Sequence, residues 1–296
     1  MANQKKLTDW FISHHSEIDL RATKLMWTEQ WWPEITDFEV SIRVDGVSYV
    51  GRGINKDSDT AFIIGCVEAV ERSLCKSNNI GSNGLALHFD EVKAKENALN
   101  ELLERKYIKH FHDNKIQLPT FSDNYEFLNN IKQKLRAHNA ELVIKNVELP
   151  KGQYLFYSSI FQINDSKPVG IFSGFGCGPE KLSSLEKSIA ECLLNFAVLT
   201  ENNNQLEDQL LKEKSENGLQ PYNSSLTEVQ ELYSFLLDEP INNSFTVEAL
   251  FEKIKFNKLA LPEELYSGLE LTAIQATFAD INTKIINKVK SEVHHV

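Results

Sequence analysis

The spacing of hydrophobic residues changes several times along the chain, and each change predicts a different element. Over residues 38–55, apolar positions alternate with polar ones, and Asp45-Gly46 lies between the two alternating runs. This pattern predicts a β-hairpin, the clearest in the sequence. The hairpin ends in Gly51-Arg-Gly, where a mobile backbone either approaches a ligand or simply closes the strand.

The apolar positions that follow recur every three or four residues, which predicts helices at about 59–76 and 90–114. Asp57, Ser58 and Asp59 are candidate N-caps of the first helix. The second helix begins with acidic residues and ends with basic ones, as the helix dipole favours. Residues 78–84 between them are rich in turn formers, so we expect two helices joined through a turn.

The middle of the chain mixes both patterns. It predicts a helix at about 125–138, a strand at 141–147, a hairpin of strands 154–163 and 168–173, and a third helix at 182–199. Four glycines make residues 169–178 a flexible, glycine-rich tract in this interpretation. The tract is a weak phosphate-binding signal, because it has neither a G-x-G-x-x-G match nor a Walker lysine.

The composition changes after residue 200, and this change sets the expected domain boundaries. Residues 201–224 are polar and typical of a linker. Residues 225–296 are interpreted as several helices separated by Pro240 and Pro262. We therefore expect a core at 1–200 with a short lead-in at 1–37, a linker at 201–224, and a C-terminal helical region at 225–296.

All four tryptophans of the chain lie in the first 33 residues, namely Trp10, Trp27, Trp31 and Trp32. Packing anchors are the favoured interpretation, and the alternative is a surface that docks a partner.

Composition then excludes several classes of protein. The 296 residues are 42% hydrophobic and 25% charged, which fits a globular α+β protein with a substantial core. The net charge of −11 argues against a broad nucleic-acid surface. The sequence has no apolar run long enough to cross a membrane and no apolar signal core at its start, so the cytoplasm is the expected compartment. The four cysteines form no C-x-x-C pair, which makes a zinc site improbable, and Cys66 and Cys192 are expected as small buried hydrophobes.

The candidate chemistry lies in a motif that occurs twice. Glu68, Glu71 and Arg72 form one E-x-x-E-R segment, and a second follows on the next predicted helix. Positions i and i+3 share a helix face, so each segment presents two carboxylates beside an arginine. One such segment alone is usually a solvated face with a salt bridge. The repetition, with Glu191 on the third helix, instead favours acidic side chains that converge on a cation.

Magnesium with a bound nucleotide fits this set, because carboxylate oxygens suit the metal and arginine forks suit phosphate. The Ser82-Asn83-Gly84 turn lies between the two segments. Six segments follow one another in order: Gly51-Arg-Gly, Glu68-Ala-Val-Glu71-Arg72, Ser82-Asn83-Gly84-Leu-Ala, Glu101-Leu-Leu-Glu104-Arg105, Gly174-Phe-Gly-Cys-Gly, and Ser188-Ile-Ala-Glu191. Taken in this order, they resemble the YcaO domain family over about residues 50–200.

The resemblance implies mixed sheets packed with helices, an ATP site between helices, and ATP and Mg2+ as cofactors. YcaO proteins phosphorylate the oxygen of a peptide backbone amide, and a Cys, Ser or Thr side chain then closes an azoline ring; related members make thioamides or amidines. By resemblance, Arg72 and Arg105 would face phosphates, and the Ser82-Asn83-Gly84 turn would shape the nucleotide pocket. The residues that would hold magnesium are Glu68, Glu71, Glu101, Glu104 and Glu191.

The leading hypothesis is azoline-forming cyclodehydration of a ribosomally synthesised peptide. No separate peptide-recognition domain is visible, so a partner protein is expected to present the substrate, and a homo-oligomer is compatible with the sequence. Lys93 stands where the family commonly has glutamate, and Leu194 and Phe196 stand where it tends to have glutamine or glutamate and then arginine. These departures motivate an alternative, a catalytically weakened YcaO-like scaffold. A third hypothesis is an accessory subunit for modification of a larger protein, such as a ribosomal one.

Overall fold

The structure is a computed structural model that describes residues 2–114, 116–149, 152–201, 226–237, 254–262, 266, 268–269 and 271–278. Within these residues, three small antiparallel sheets pack with six helices. The predicted α+β class is therefore confirmed. No helix in the described residues combines the length and apolar character that crossing a bilayer requires.

The first sheet contains the predicted hairpin. Helix α1 (Ala2–Ser13) precedes β1 (Arg21–Leu25), β2 (Thr36–Val44) and β3 (Val47–Asn55), and the strand order is β1-β2-β3. Asp45 and Gly46 form the turn with φ values of 51° and 77°. Both values are positive, as a tight hairpin turn requires. The hairpin and its turn are thus confirmed.

Helix α2 (Ser58–Asn78) follows β3 and covers one face of this sheet. The Asp57 carboxylate accepts a hydrogen bond from the Thr60 amide at 2.8 Å, which caps the helix. The helix ends at Asn79, whose φ of 51° lies in the left-handed region. Ala61, Cys66 and Ala69 are buried on the face toward the strands. These residues are small, so α2 can lie very close to the sheet.

The next elements carry the second acidic segment and the third predicted helix. They are β4 (Leu85–His88), α3 (Glu91–Asp113), α4 (Glu126–Ala137), β5 (Ala140–Leu149), β6 (Gln153–Asn164), β7 (Lys167–Gly178) and α5 (Lys181–Glu201). Strands β5, β6 and β7 form the second sheet in that order. Each predicted helix in this part of the chain is confirmed.

The prediction that residues 169–178 are a flexible tract is wrong. This segment is the body of β7 and pairs in antiparallel register with β6. Gly174 and Gly176 are required because the strand lies directly against α5. A Cβ atom on Gly174 or Gly176 would clash with the carbonyl oxygen of Ser188 or Ser184.

The prediction that residues 225–296 are only helical is wrong for two segments. Helix α6 (Leu226–Leu237) is present, but β8 (Ile254–Leu259) and β9 (Thr272–Phe278) are strands, and β9 lies between β4 and β8 in the third sheet. Short apolar runs do not distinguish helix from strand, and the partner β4 lies far back in the sequence. The predicted linker at 201–224 lies almost entirely outside the described residues.

The tryptophans are mainly packing residues, as the favoured interpretation held. Trp31 and Trp32 are buried in a core with side chains from α4, α5 and the second sheet. Trp10 lies on α1 and is buried in a separate core. Cys66 and Cys192 are also buried, as expected for small hydrophobes.

Candidate active site

Two parts of the fold repeat the same strand–helix geometry. We define the first unit as β2, β3 and α2, and the second unit as β6, β7 and α5. In the first unit, a Cβ atom on Gly53 would clash with the Ala61 carbonyl, as one on Gly176 would with Ser184 in the second. Matching residues are separated by one constant interval along the chain: Gly51 and Gly174, Gly53 and Gly176, Gly65 and Ser188, Glu68 and Glu191.

Each unit fixes one predicted metal-binding glutamate by a backbone hydrogen bond. The Arg52 amide donates to Glu68 Oε2 at 2.6 Å. The Phe175 amide donates to Glu191 Oε2 at 2.9 Å. Strands β3 and β7 are the edges of their sheets, so these amides take a carboxylate in place of a neighbouring strand. The glycines allow the helix to pack closely against the strand, and this close packing brings the glutamate carboxylate to the strand edge.

Glu71 is fixed in a similar way by the third sheet. Its Oε1 accepts a hydrogen bond from the Leu87 amide of β4 at 2.9 Å. Burial raises the pKa of Glu71 well above its ordinary value, and the nearby Glu101 carboxylate raises it further. The Glu71 carboxylate thus interacts electrostatically with Glu101 of α3 as well as with Glu68 of its own helix.

Helix α3 connects the two units. The Glu104 side chain is 2% exposed, and its Oε2 lies 2.9 Å from Lys187 Nζ of α5. The Arg105 guanidinium lies 3.9 Å from Glu104 Oε1 and 4.0 Å from Glu191 Oε1. It also stacks over the Phe175 ring at 5.7 Å. Arg105 therefore lies between the acidic residues of α3 and α5.

The pKa is also raised for two further carboxylates, one on α3 and one on α5. Burial raises the pKa of Glu101 to about 7, although Arg105 partly opposes the shift. Burial and the Glu104 charge raise the pKa of Glu191. Like charges held together in a partly desolvated place favour a bound cation. The structure thus brings all five predicted glutamates into one electrostatically linked cluster, which we call the carboxylate cluster.

The donor set fits a magnesium-bound nucleotide better than a bare metal ion. Among the described residues, no three His, Cys, Asp or Glu side chains are close enough together to hold an ion by themselves. Mg2+ usually keeps several waters and uses one or two carboxylates plus substrate phosphates. Spaced hard oxygens beside partly exposed arginines suit that mode of binding.

The remaining predicted site residues have different surroundings. Arg72 is half-exposed, pairs with Glu68 Oε1 at 2.6 Å, and donates to the Val50 carbonyl. Ser82 and Asn83 are exposed at the turn before β4. Gly84 has a φ of 74° and lies against the Ala276 carbonyl of β9. The nucleotide-binding roles of Arg72 and the turn stay predictions.

Lys187 is a residue of the site that the sequence motifs did not predict. The available signal was its position four residues before Glu191, which places both on one face of α5. Of the departures from the family pattern, Lys93 is exposed on α3. Phe196 is a core residue, with its ring 5.2 Å from both Trp31 and Phe172. Leu194 is buried as well.

The fold is that of an α+β protein, and its carboxylate cluster has the chemistry of a magnesium–nucleotide site. Residues 68–254 match the family model described as YcaO cyclodehydratase, ATP- and Mg2+-binding. This match spans more than half of the 296 residues, so the chain belongs to the YcaO family. It is an ATP-dependent enzyme of the cyclodehydratase type, with ATP and Mg2+ as its cofactors.

Solved structures show the same fold at low sequence identity. YcaO from Methanopyrus kandleri, bound with AMPPCP and Mg2+, is 12% identical with a TM-score of 0.62, over 97% of this chain and 93% of that one. A heterocyclase in complex with substrate and cofactor is 12% identical with a TM-score of 0.60, over 86% of this chain and 52% of that one. The E. coli microcin synthetase McbBCD complex contains a chain that is 11% identical, with a TM-score of 0.52 and coverage of 82% and 84%. No curated protein matches the sequence.

Proposed function

We propose that this enzyme uses ATP and Mg2+ to activate backbone amides of a ribosomally synthesised peptide and forms azolines by cyclodehydration. The observation that carries the proposal is the convergence of carboxylates from α2, α3 and α5 on one cluster, with Arg105 between the last two helices. Phosphoryl transfer depends mainly on positioning and charge neutralisation. Backbone hydrogen bonds to Glu68, Glu71 and Glu191 supply the positioning. Arg105 and a metal ion held by the cluster would supply the neutralisation.

In this proposal each residue has a positioning or electrostatic role. Arg72 and Arg105 face phosphate oxygens, and the Ser82-Asn83-Gly84 turn shapes the pocket around the nucleotide. Magnesium held by the cluster would neutralise phosphate charge. The carboxylates that hold it are Glu68, Glu71, Glu101, Glu104 and Glu191.

A partner protein presents the peptide in this proposal. The similar microcin synthetase chain is part of a complex named McbBCD. The similar heterocyclase is described in complex with its substrate. The first description supports a partner subunit, and the second supports a bound substrate.

The test is Glu101→Gln in the full chain, assayed with the peptide and its partner. We expect peptide-dependent ATP hydrolysis to fall by about 100-fold, because the variant loses one negative charge of the cluster at nearly constant shape. Glu96→Gln is the matched control, since Glu96 is exposed on the same helix. Mass spectrometry should show loss of one water for each ring formed by the wild type. Full turnover by Glu101→Gln would contradict the proposal.

A scaffold that binds a partner or peptide without efficient turnover is the second candidate. It is favoured by Leu194, which is buried at the position that matches Glu71 in the first unit. Calorimetry with ATP and Mg2+ separates the two candidates, because absence of nucleotide binding at millimolar concentration supports the scaffold. A neighbouring gene for a short peptide rich in Cys, Ser or Thr would favour the enzyme over an accessory role on a larger protein.

A further inference from the structure

Lys187 is a positively charged group that α5 inserts into the carboxylate cluster. Its Nζ lies 2.9 Å from Glu104 Oε2, and Glu104 is only 2% exposed. Burial alone would lower the pKa of Lys187, but the charges of Glu104, Glu191 and Glu101 raise it above its ordinary value. Half of the lysine side chain is exposed. The ammonium therefore pairs with a buried carboxylate at a place that solvent ions can reach.

The first unit has no such cation at the matching position. Ile64 occupies that place on α2 and is partly exposed. Glu71 has Leu194 as its counterpart on α5. At these two positions the second unit therefore has one carboxylate fewer and one cation more than the first, although both units hold a glutamate at the strand edge.

A buried carboxylate requires a compensating charge, and two kinds of cation can provide it here. One is a divalent ion from solution. The other is the tethered ammonium of Lys187, which is present at high effective concentration because it is part of the chain. A divalent ion that binds Glu104 must displace this ammonium or share the Glu104 carboxylate with it.

We propose that Lys187 determines how many divalent ions the cluster holds and how tightly, by competing with them for Glu104. In this arrangement the ammonium neutralises the Glu104 end of the cluster, and magnesium is held mainly by the carboxylates nearer α2. The inference rests on the proposed metal-binding role of the cluster.

The experiment measures divalent binding to the full chain without nucleotide. Thermal unfolding of the wild type, Lys187→Met and Lys187→Arg is followed across a Mg2+ titration. Bound Mn2+ is counted separately by electron paramagnetic resonance. Methionine keeps most of the aliphatic stem and removes the charge, whereas arginine keeps the charge. Lys95→Met is the matched control, because Lys95 pairs with the exposed Glu91 at 2.7 Å on α3.

Without metal, we expect Lys187→Met to melt at a lower temperature than the wild type. Magnesium should restore it with a half-effect concentration at least about tenfold lower than that of the wild type, which corresponds to one tenfold step in affinity. The Mn2+ count should rise by about one ion per chain. Lys187→Arg and Lys95→Met should respond to divalent ions as the wild type does.

An unchanged response of Lys187→Met to divalent ions would overturn the inference, as would a loss of stability that Mg2+ does not restore. If Lys187→Met does not fold, the double variant Lys187→Met/Glu104→Gln removes both partners of the pair. This double variant should bind Mn2+ no more tightly than the wild type, and tighter binding would contradict the inference. Failure of the proposed function is a separate result, namely no binding of AMPPCP with Mg2+ to the wild type.

Discussion

The two strand–helix units share a backbone arrangement but carry different polar residues. Arg72 of the first unit donates to the Val50 carbonyl. Its counterpart Asn195 donates to the Ser173 carbonyl at 2.8 Å. The two bonds are therefore equivalent, although the side chains differ in length and charge. The shared geometry requires a helix residue that reaches the strand carbonyl, and it does not require an arginine.

The difference between the units shows which features belong to the scaffold and which to chemistry. Glycines against the helix and a glutamate at the strand edge occur in both, so they are the common frame. The first unit adds the second carboxylate, Glu71, whereas the second unit has the buried Leu194 there and adds Lys187. One frame thus supports a unit with two glutamates beside Arg72 and a unit whose Lys187 pairs with Glu104 of α3.

The largest effect is expected where strand and helix backbones meet. Gly53→Ala and Gly176→Ala should each lower the free energy of unfolding by about 3 kcal/mol, because the new methyl group would clash with a helix carbonyl that has little room to move. Urea unfolding measures this. Gly170→Ala is the matched control in β7, since the nearest atom to its Cβ would be 3.7 Å away.

If only one of the two glycine variants lost unfolding free energy, the two units would not be equivalent. This result would mean that one helix can move away from its strand and that the glutamate on it is not fixed by packing. Equal losses in both, with little change in Gly170→Ala, would support a common frame.

Asp37 is a second position at which the two units differ. It pairs with Ile54 in the first unit, and the matching pair in the second is Leu155 with Cys177. Asp37 is fully buried, and neither carboxylate oxygen has a hydrogen-bond partner among the described residues. Burial raises the pKa of Asp37 from 3.8 to about 6, with Arg52 partly opposing the shift. The first unit therefore carries a buried acid with unsatisfied oxygens where the second has an apolar residue.

Because the pKa of Asp37 is higher in the folded state, its contribution to stability is lost as pH rises from about 4 to about 6. Asp37→Asn should remove this loss. Between pH 4 and pH 7, the wild type should lose about 2 kcal/mol of unfolding free energy relative to the variant. Urea unfolding at both pH values tests this, and parallel pH profiles would show that Asp37 does not ionise in this range.

The smallest effect concerns the glutamates at the strand edges. Glu68→Ala and Glu191→Ala each remove the acceptor for a strand amide, Arg52 or Phe175. We expect a loss of about 1 kcal/mol in each unit. Glu→Gln at either position keeps an acceptor and should cost less. Hydrogen exchange of the two amides should be faster only in the alanine variants.

If glutamine were no better than alanine, the charge of the carboxylate would matter to the fold more than its hydrogen bond. The common frame would then be an electrostatic feature and would depend on bound cations. A matched rescue by glutamine in both units would instead assign the two glutamates a structural role beside their proposed metal-binding role.

The sequence by itself determined the elements whose signals are local. Alternation around Asp45-Gly46 predicted the hairpin, and apolar spacing with candidate caps predicted α2 and α3. The repeated E-x-x-E-R segments predicted a cluster of acidic residues, because i and i+3 positions share a helix face. Lys187 was accessible only through its i,i+4 relation to Glu191, and that relation alone does not distinguish a cluster residue from a solvated one.

Only the tertiary structure decided the features that depend on contacts between distant segments. The sequence predicts a strand only at 168–173, and the glycines up to residue 178 suggest a flexible tract. Strand β7 nevertheless continues to Gly178, because β6 pairs with it and α5 lies against it. Strand β9 pairs with β4, which precedes it by most of the chain, and β8 pairs with the other edge of β9. The meeting of Glu104 with Lys187 likewise requires α3 and α5 to pack around the same volume. Local patterns carry the period of an element, whereas the place where two elements touch is set by packing of the whole core.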